Sequence, residues 1–431
     1  MSQTDISSKQ TEPKANLIAT ETRARHGRWA WMIALMTTGL AAHAFFYLLP
    51  TLTDMMGLGA MYGWYIDWAA LLAAGEAWMA GFGDLIYFMN PLDTLKRPHS
   101  YSNWWLVLGS MGFTREDTLW MGLLCVVMAI GLASMVAAPR SRREFLYLAL
   151  LICSPSLQLG FARANNDLVI FLFVIAAGWC VASRLPLAQI CGAFVVAFAT
   201  GLKYYPVVSG GLLLAGPTRR LVVWRGVVFL ALAVLVLLSV YEDTLYFGRS
   251  LPSPDGLMSV GAAGALKRLG VTSGIVHVAF GAVIGLAGWW WLDGRLEKQP
   301  RAGAQLNLES AWLIAGSLIL AGCFWVGMSW AYRWIFAFCL MPGLLRPESV
   351  ADWLRPGERR LILWLLPVAL WSDGLGALVL NLLRPVLDPT RYTVAVWLTF
   401  QPAQWAVMIV LTVIAARFGV RETVAFFRRV E

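Results

Sequence analysis

The chain is predicted to be an all-α polytopic membrane protein, a bundle of about 11 to 12 transmembrane helices with juxtamembrane helices in its first outer loop. Three observations predict it. Of the 431 residues, 59% are hydrophobic and only 14% charged, whereas a soluble globule carries nearer a quarter charged. The apolar residues gather in runs of about 15 to 25, close to the ~20 that cross a bilayer as a helix. These runs lack the alternation of barrel strands, so the backbone must be satisfied within continuous helices.

In order along the chain, the runs start near Trp29, Thr118, Glu144, Asp167, Pro186, Gly226, Gly274, Glu309, Tyr332, Leu361 and Thr393. Residues 1–28 are polar and mixed in charge and form a cytoplasmic tail. The run after them is long and has no small-residue cleavage site, which predicts a retained helix rather than a removed signal peptide. Residues 29–416 are the membrane domain and residues 417–431 a second tail. The net charge of +9 needs no nucleic-acid partner. Placing the N-terminus, Arg140 to Arg143, Arg184, Arg219 to Arg225, Arg295 to Arg301, Arg346 to Arg360 and the tail from Arg417 on one side accounts for most of the 34 basic residues. By the positive-inside rule that side is cytoplasmic, and both termini lie there.

This orientation leaves two long outer loops, about residues 50–117 and 242–273. It also requires residues 186–218 to go out and return, although about 33 helical residues give only about 50 Å for both passes. Two half-helices meeting at Lys203-Tyr204-Tyr205-Pro206 satisfy that demand. In the first loop, Met61 to Ala80 carries Tyr62, Trp64, Tyr65, Trp68 and Trp78, which suits a helix lying in the interface plane. Interfacial belts account for most of the 22 tryptophans. The six cysteines lie inside apolar runs without paired spacing and read as packing residues. The four histidines show no zinc spacing, and no Walker-type or GxGxxG loop is present.

Ionisable groups at membrane depth are costly, so each is a functional candidate. On the outer side these are Asp67, Glu76, Asp84, Arg163, Asp167, Lys203, Arg333 and Asp373. They come from separate helices at one level, which predicts a polar chamber roofed by the first loop. Two readings stand: the charges pair only with each other to hold helices together, or the surplus cations Arg163, Lys203 and Arg333 hold a phosphate, which arginine grips with a planar fork and lysine as a point charge. Asp67 is the leading base candidate, with Glu76 and Asp84 ranked behind it. Trp64, Tyr65 and Trp68 beside it are expected to desolvate its carboxyl and raise its pKa.

The ordered stretches Asp67-Trp68 with AWMAG, Asn90-Pro91, YSNWW (Tyr101 to Trp105), RANNDLVIF, GLKYYP (Gly201 to Pro206) and SWAYRWIF (Ser329 to Phe336) together resemble the polyprenol-phosphate-dependent glycosyltransferases of the GT-C superfamily. They are most like glycosyltransferase family 87 (DUF2029), the mannosyltransferase-like group. The resemblance covers roughly residues 30–345. It departs from the family pattern at Ala164, where relatives carry glycine, and at YSNWW, which lacks a proline. It implies a GT-C-like fold and transfer of mannose or another hexose, with inversion, from a polyprenyl-phosphate donor to a glycan or glycolipid acceptor on the periplasmic side of a bacterial inner membrane. By motif position it implies Asp67 as general base and Arg163, Lys203 and Arg333 on the lipid phosphate. Asn166 and Asp167 match a polar pair of the family, and Tyr204, Tyr332, Trp68 and Tyr101 are read as further substrate contacts. A divalent cation is left open, and no resident cofactor is implied. A lipid-linked sugar flippase or transporter, and a polysaccharide polymerase or ligase using a lipid-linked donor, remain alternatives.

Overall fold

A computed structural model describes residues 12–58, 63–250, 261–293, 305–326, 329–383 and 389–428. Among these the chain is helical throughout: α1 (Glu12–Leu48), α2 (Pro50–Met55), α3 (Ile66–Met79), α4 (Val107–Ser110), α5 (Thr118–Ala137), α6 (Arg142–Ile152), α7 (Pro155–Arg163), α8 (Asp167–Ala182), α9 (Pro186–Leu202), α10 (Arg219–Ser239), α11 (Tyr241–Ser250), α12 (Ala262–Arg268), α13 (Gly274–Asp293), α14 (Leu308–Val326), α15 (Met341–Leu345), α16 (Pro356–Leu383) and α17 (Pro389–Arg428). Two long 3-10 segments, Tyr205–Leu214 and Ala331–Cys339, replace α-helix where chain breaks occur.

Seven helices among the described residues are long and apolar enough to cross a membrane, or eight if α6 and α7 count as one span bent by 57°. The expected 11 to 12 are not reached, for a reason of length. The 16 residues of α8 and the 17 of α9 rise only about 25 Å, short of the ~30 Å hydrocarbon core. One sequence boundary also moves: α17 runs on to Arg428 with Arg417 fully buried, whereas α1, which begins at Glu12, has its membrane-length apolar part from Gly27 to Leu48. The in-plane helix expected from Met61 starts at Ile66, while Met61 and Tyr62 lie outside the described residues.

Prolines set the breaks. Pro155, Pro186 and Pro206 each stand in the first turn of a new helix, where the missing N–H costs nothing and the ring fixes φ. Between α9 and the 3-10 segment, Lys203 is extended (φ −159°, ψ 117°), as the sequence required of GLKYYP. Helix α14 sits at the centre of the bundle, 72% buried, packed on α8, α13, α17 and both 3-10 segments, whereas α10 and α13 turn mostly apolar, exposed faces outward.

Connectivity then divides the bundle into two ends. Helices α7 and α9 finish, and α8 and both 3-10 segments begin, at one end. At the other, arginines from neighbouring elements donate to carbonyls that helix C-termini leave without intrahelical partners. Arg346 Nη2 donates to Ala137 O (3.2 Å) and Ala138 O (2.7 Å) after α5, and Arg359 Nε to Leu344 O (2.6 Å) in α15. Arg355 donates to Leu292 O in α13 and Arg225 to Ala215 O after the first 3-10 segment. Arg417, Asp293 and Glu358 form a buried ion network there, joining α13, α16 and α17.

Candidate functional site

Two left-handed turns place the charged residues at the first end. Ala164 (φ 42°, ψ 52°) ends α7, and Tyr65 (φ 58°, ψ 32°) precedes α3. In non-glycine residues this conformation costs about 1 kcal/mol or more and persists only where surroundings hold it. The two turns hold each other, because the Tyr65 N–H donates to Ala162 O at 2.7 Å. The Tyr65 hydroxyl meets His43 Nε2 at 3.1 Å, and its ring lies over Gly122, where any Cβ would come within 2.4 Å of it. The start of α3, with Asp67 in its first turn, is thereby docked on the end of α7, with Arg163 in its last turn. Both charges stand where the helix dipole favours them.

The Asp67 carboxylate is 2% exposed and accepts from Arg163 Nε at 3.0 Å, Arg163 Nη2 at 2.7 Å and Asn165 Nδ2 at 2.6 Å. Arg97 Nη1 stands 3.7 Å from it, and Arg97 also grips Asp93 and donates to Ile66 O. Burial pushes the Asp67 pKa up, but the charge and hydrogen bonds of Arg163, the amide of Asn165 and the charge of Arg97 together carry it below the ordinary carboxylate range. The sequence-based expectation was the reverse. The aromatic residues expected to desolvate the group are spent elsewhere: Trp64 packs on Tyr47, Tyr65 on His43, and Trp68 edge-on to Trp105 at 5.8 Å.

Asp167 opens α8 and forms the second half of the cluster. Its Oδ1 accepts from Lys203 and from the Tyr205 hydroxyl (2.8 Å), while Oδ2 faces Arg333 Nε at 3.5 Å. Lys203 also donates to Asn166 Oδ1 at 2.5 Å and Asn165 Oδ1 at 3.2 Å. Its ammonium lies 5.6 to 5.8 Å from the rings of Tyr101, Tyr205 and Tyr332, and the Arg333 guanidinium lies over Tyr205 at 4.8 Å. Four cations (Arg97, Arg163, Lys203, Arg333) stand against three carboxylates (Asp67, Asp93, Asp167), one positive charge in excess. Arg163 is the most open of the four, a third exposed.

The segment between α3 and α5 is pinned over this cluster. Trp105 Nε1 donates to Leu202 O at 3.0 Å, beside Lys203, and Trp104 lies against Gly201, where a Cβ would fall 2.2 Å from its ring. The Asn103 N–H and the Tyr87 hydroxyl both donate to Asp243 at 2.8 Å, tying the loop to α11.

The structure thus gathers Asp67, Arg163, Asn166, Asp167, Lys203, Tyr101, Tyr332 and Arg333, all named from the sequence. It does not bring in every candidate. Glu76 is taken by Arg115 (2.9 Å) at the protein surface, Asp84 is exposed, and Asp373 bonds Gln404 of α17. Trp68 packs edge-on to Trp105, and Tyr204 lies toward Asp243 and Tyr87, while Tyr205 is the tyrosine that reaches Asp167. Arg97, Asn165 and Tyr205 are the residues that sequence reasoning missed. Among the described residues no group of three or more His, Cys, Asp or Glu side chains is placed to hold a metal ion. Comparison of the chain with protein-family models, with curated proteins and with solved structures found no match.

Proposed function

We propose that this protein is an inverting membrane glycosyltransferase that moves a hexose from a polyprenyl-phosphate donor to a glycan or glycolipid acceptor at the outer face of a bacterial inner membrane. The supporting observation is the convergence of Asp67, Arg163, Asp167, Lys203 and Arg333, from separate segments, into one cluster with a cationic surplus. The donor's phosphodiester sits against Arg163, Lys203 and Arg333, with its lipid in the bilayer. The acceptor hydroxyl attacks the anomeric carbon from the opposite face. The bond from that carbon to the phosphate oxygen breaks, the glycosidic bond forms, the proton goes to Asp67, and the second negative charge that develops on the leaving phosphate is stabilised by the fixed cations. A carboxylate held below its ordinary pKa is a modest base, but it is ionised and aimed at all physiological pH values. On this reading the bundle has both termini in the cytoplasm, and α8, α9 and the 3-10 segments add short re-entrant passes to the longer spans.

A second reading is favoured by one observation, that all three buried carboxylates of the cluster already have cationic partners within the chain. The cluster would then only lock α3, α7, α8 and α9 together. One experiment separates the two: purified protein is incubated with a panel of polyprenyl-phosphate sugars and an acceptor extract, and release of free polyprenyl phosphate is followed. Asp67→Asn is expected to abolish release while the protein stays folded and still binds donor. Release by that variant at near wild-type rate would remove Asp67 from the chemistry.

A further inference from the structure

We infer that Asn165, rather than its neighbour Asn166, is the positioning residue that joins the base to the phosphate side of the site. The inference rests on the transferase reading above and deepens it. The Asn165 side chain is 1% exposed and all of its bonds lie within the cluster. Nδ2 donates to Asp67 Oδ2 at 2.6 Å, while Oδ1 accepts from Lys203 Nζ at 3.2 Å and from the Asp167 N–H at 2.9 Å. The amide cannot be turned over, because the carboxylate needs a donor and the ammonium and the N–H need an acceptor. Asn165 is therefore the side chain that touches both Asp67 and Lys203. By contrast the Asn166 side chain, among the described residues, bonds Lys203 alone, through Oδ1, and its buried Nδ2 has no hydrogen-bond partner there.

The geometry assigns distinct work to the two oxygens of Asp67. Oδ2 accepts from both Arg163 Nε and Asn165 Nδ2, which fills the two in-plane lone-pair directions of a carboxylate oxygen. Among the described residues Oδ1 accepts one hydrogen bond, from Arg163 Nη2, with Arg97 farther off at 3.7 Å. A lone pair of Oδ1 is thus left for the acceptor hydroxyl, and Asn165 fixes which oxygen receives the proton. Through its own Oδ1 it also sets the distance between that proton and the ammonium that faces the leaving phosphate. Loss of the amide releases Asp67 to rotate and removes a donor that keeps its carboxylate ionised.

The test uses full-length protein in lipid nanodiscs. The carboxyl stretch of Asp67, identified by its loss in Asp67→Asn, is titrated by infrared spectroscopy in the wild type, Asn165→Ala and Asn165→Asp, and the acid limb of the transfer rate is measured in parallel. Asn165→Ala should move the titration and the acid limb up together by about one pH unit, with a tenfold or greater fall carried by kcat rather than by the donor KM. Asn165→Asp keeps the side-chain shape if the alanine variant does not fold. It sets a second carboxyl against Asp67, so that the two share a proton, and should move the titration up by two units or more. Titrations unchanged in the variants would overturn the inference. If the wild type transfers no sugar, the transferase reading falls, while the infrared titration still decides whether Asn165 governs Asp67.

Discussion

Replacing Arg163 with alanine strips Asp67 of two charge-assisted hydrogen bonds, at 3.0 and 2.7 Å, and leaves a carboxylate that is 2% exposed with one amide and a cation 3.7 Å away. At about 3 Å and an effective dielectric of about 20, the attraction lost is gross about 5 kcal/mol. Desolvation of the pair offsets part of it, and Arg163 is a third exposed, so the expected net cost is about 2 to 3 kcal/mol, below the ~3 to 5 of a fully buried pair. The sign of the pH dependence follows from the direction of the shift. In the wild type the Asp67 pKa is held down, so its stabilisation is complete above the unfolded value of about 4 and is lost as pH falls through the lowered folded value. In the variant burial wins and the pKa rises, so the ionised group destabilises at about pH 7 and is relieved as protonation proceeds toward about pH 5. Reversible unfolding in mixed micelles, followed by tryptophan fluorescence, measures both effects. In an Asp67→Asn background the same substitution should cost about 2 kcal/mol less. Costs that add to within about 0.5 kcal/mol, or a deficit that does not change with pH, would refute the pairing argument.

Two further predictions use the same unfolding assay. Ala164→Val puts a β-branched residue into the left-handed turn at a fully buried position and should cost about 2 kcal/mol or more, whereas Ala164→Gly should stay within about 0.5 kcal/mol, because relief of strain and loss of a buried methyl nearly cancel. A valine variant as stable as the wild type would mean that the turn is not left-handed. At the far end of the bundle, Arg417→Ala strips Glu358 of its Arg417 bonds while Asp293 keeps Arg355 and Arg421, and should cost about 3 kcal/mol, with donor binding by the surviving folded protein unchanged. Loss of donor binding in that folded fraction would tie the two ends together.

Much of the cluster was legible because charge at membrane depth is rare: Arg163, Asp167, Lys203 and Arg333 stand out against apolar neighbours, and proline marked the break beside Lys203. What failed was the choice between adjacent residues. Asn165 and Asn166, or Tyr204 and Tyr205, lie where helical periodicity has stopped; both asparagines are buried against Lys203, and only Asn165 also bonds Asp67 among the described residues. Arg97 lies in the polar first loop, four residues after Asp93, and reads as half of a local surface pair until the loop folds back over Asp67. The Asp67 pKa follows the arginines and the amide that the fold brings to it from distant segments, which outweigh the burial its aromatic neighbours imply. Among the described residues the count of full-length spans stops short of 11 to 12, because short apolar helices that begin and end inside the bundle have the composition of spans without their reach.

The arginines at the far end carry a consequence for how the chain can be re-engineered. On the orientation proposed above, Arg225, Arg346, Arg355 and Arg359 belong to the basic residues that direct the chain's insertion, yet each also donates to a backbone carbonyl of a neighbouring helix or turn. Topogenic signal and finished architecture are therefore written in the same side chains. Moving these charges to invert the protein in the bilayer would also strip carbonyls of their donors, so an inverted chain would be destabilised by about 1 to 3 kcal/mol for each acceptor left buried. A lysine in each place would keep the address but not the forked donor, which separates the two roles.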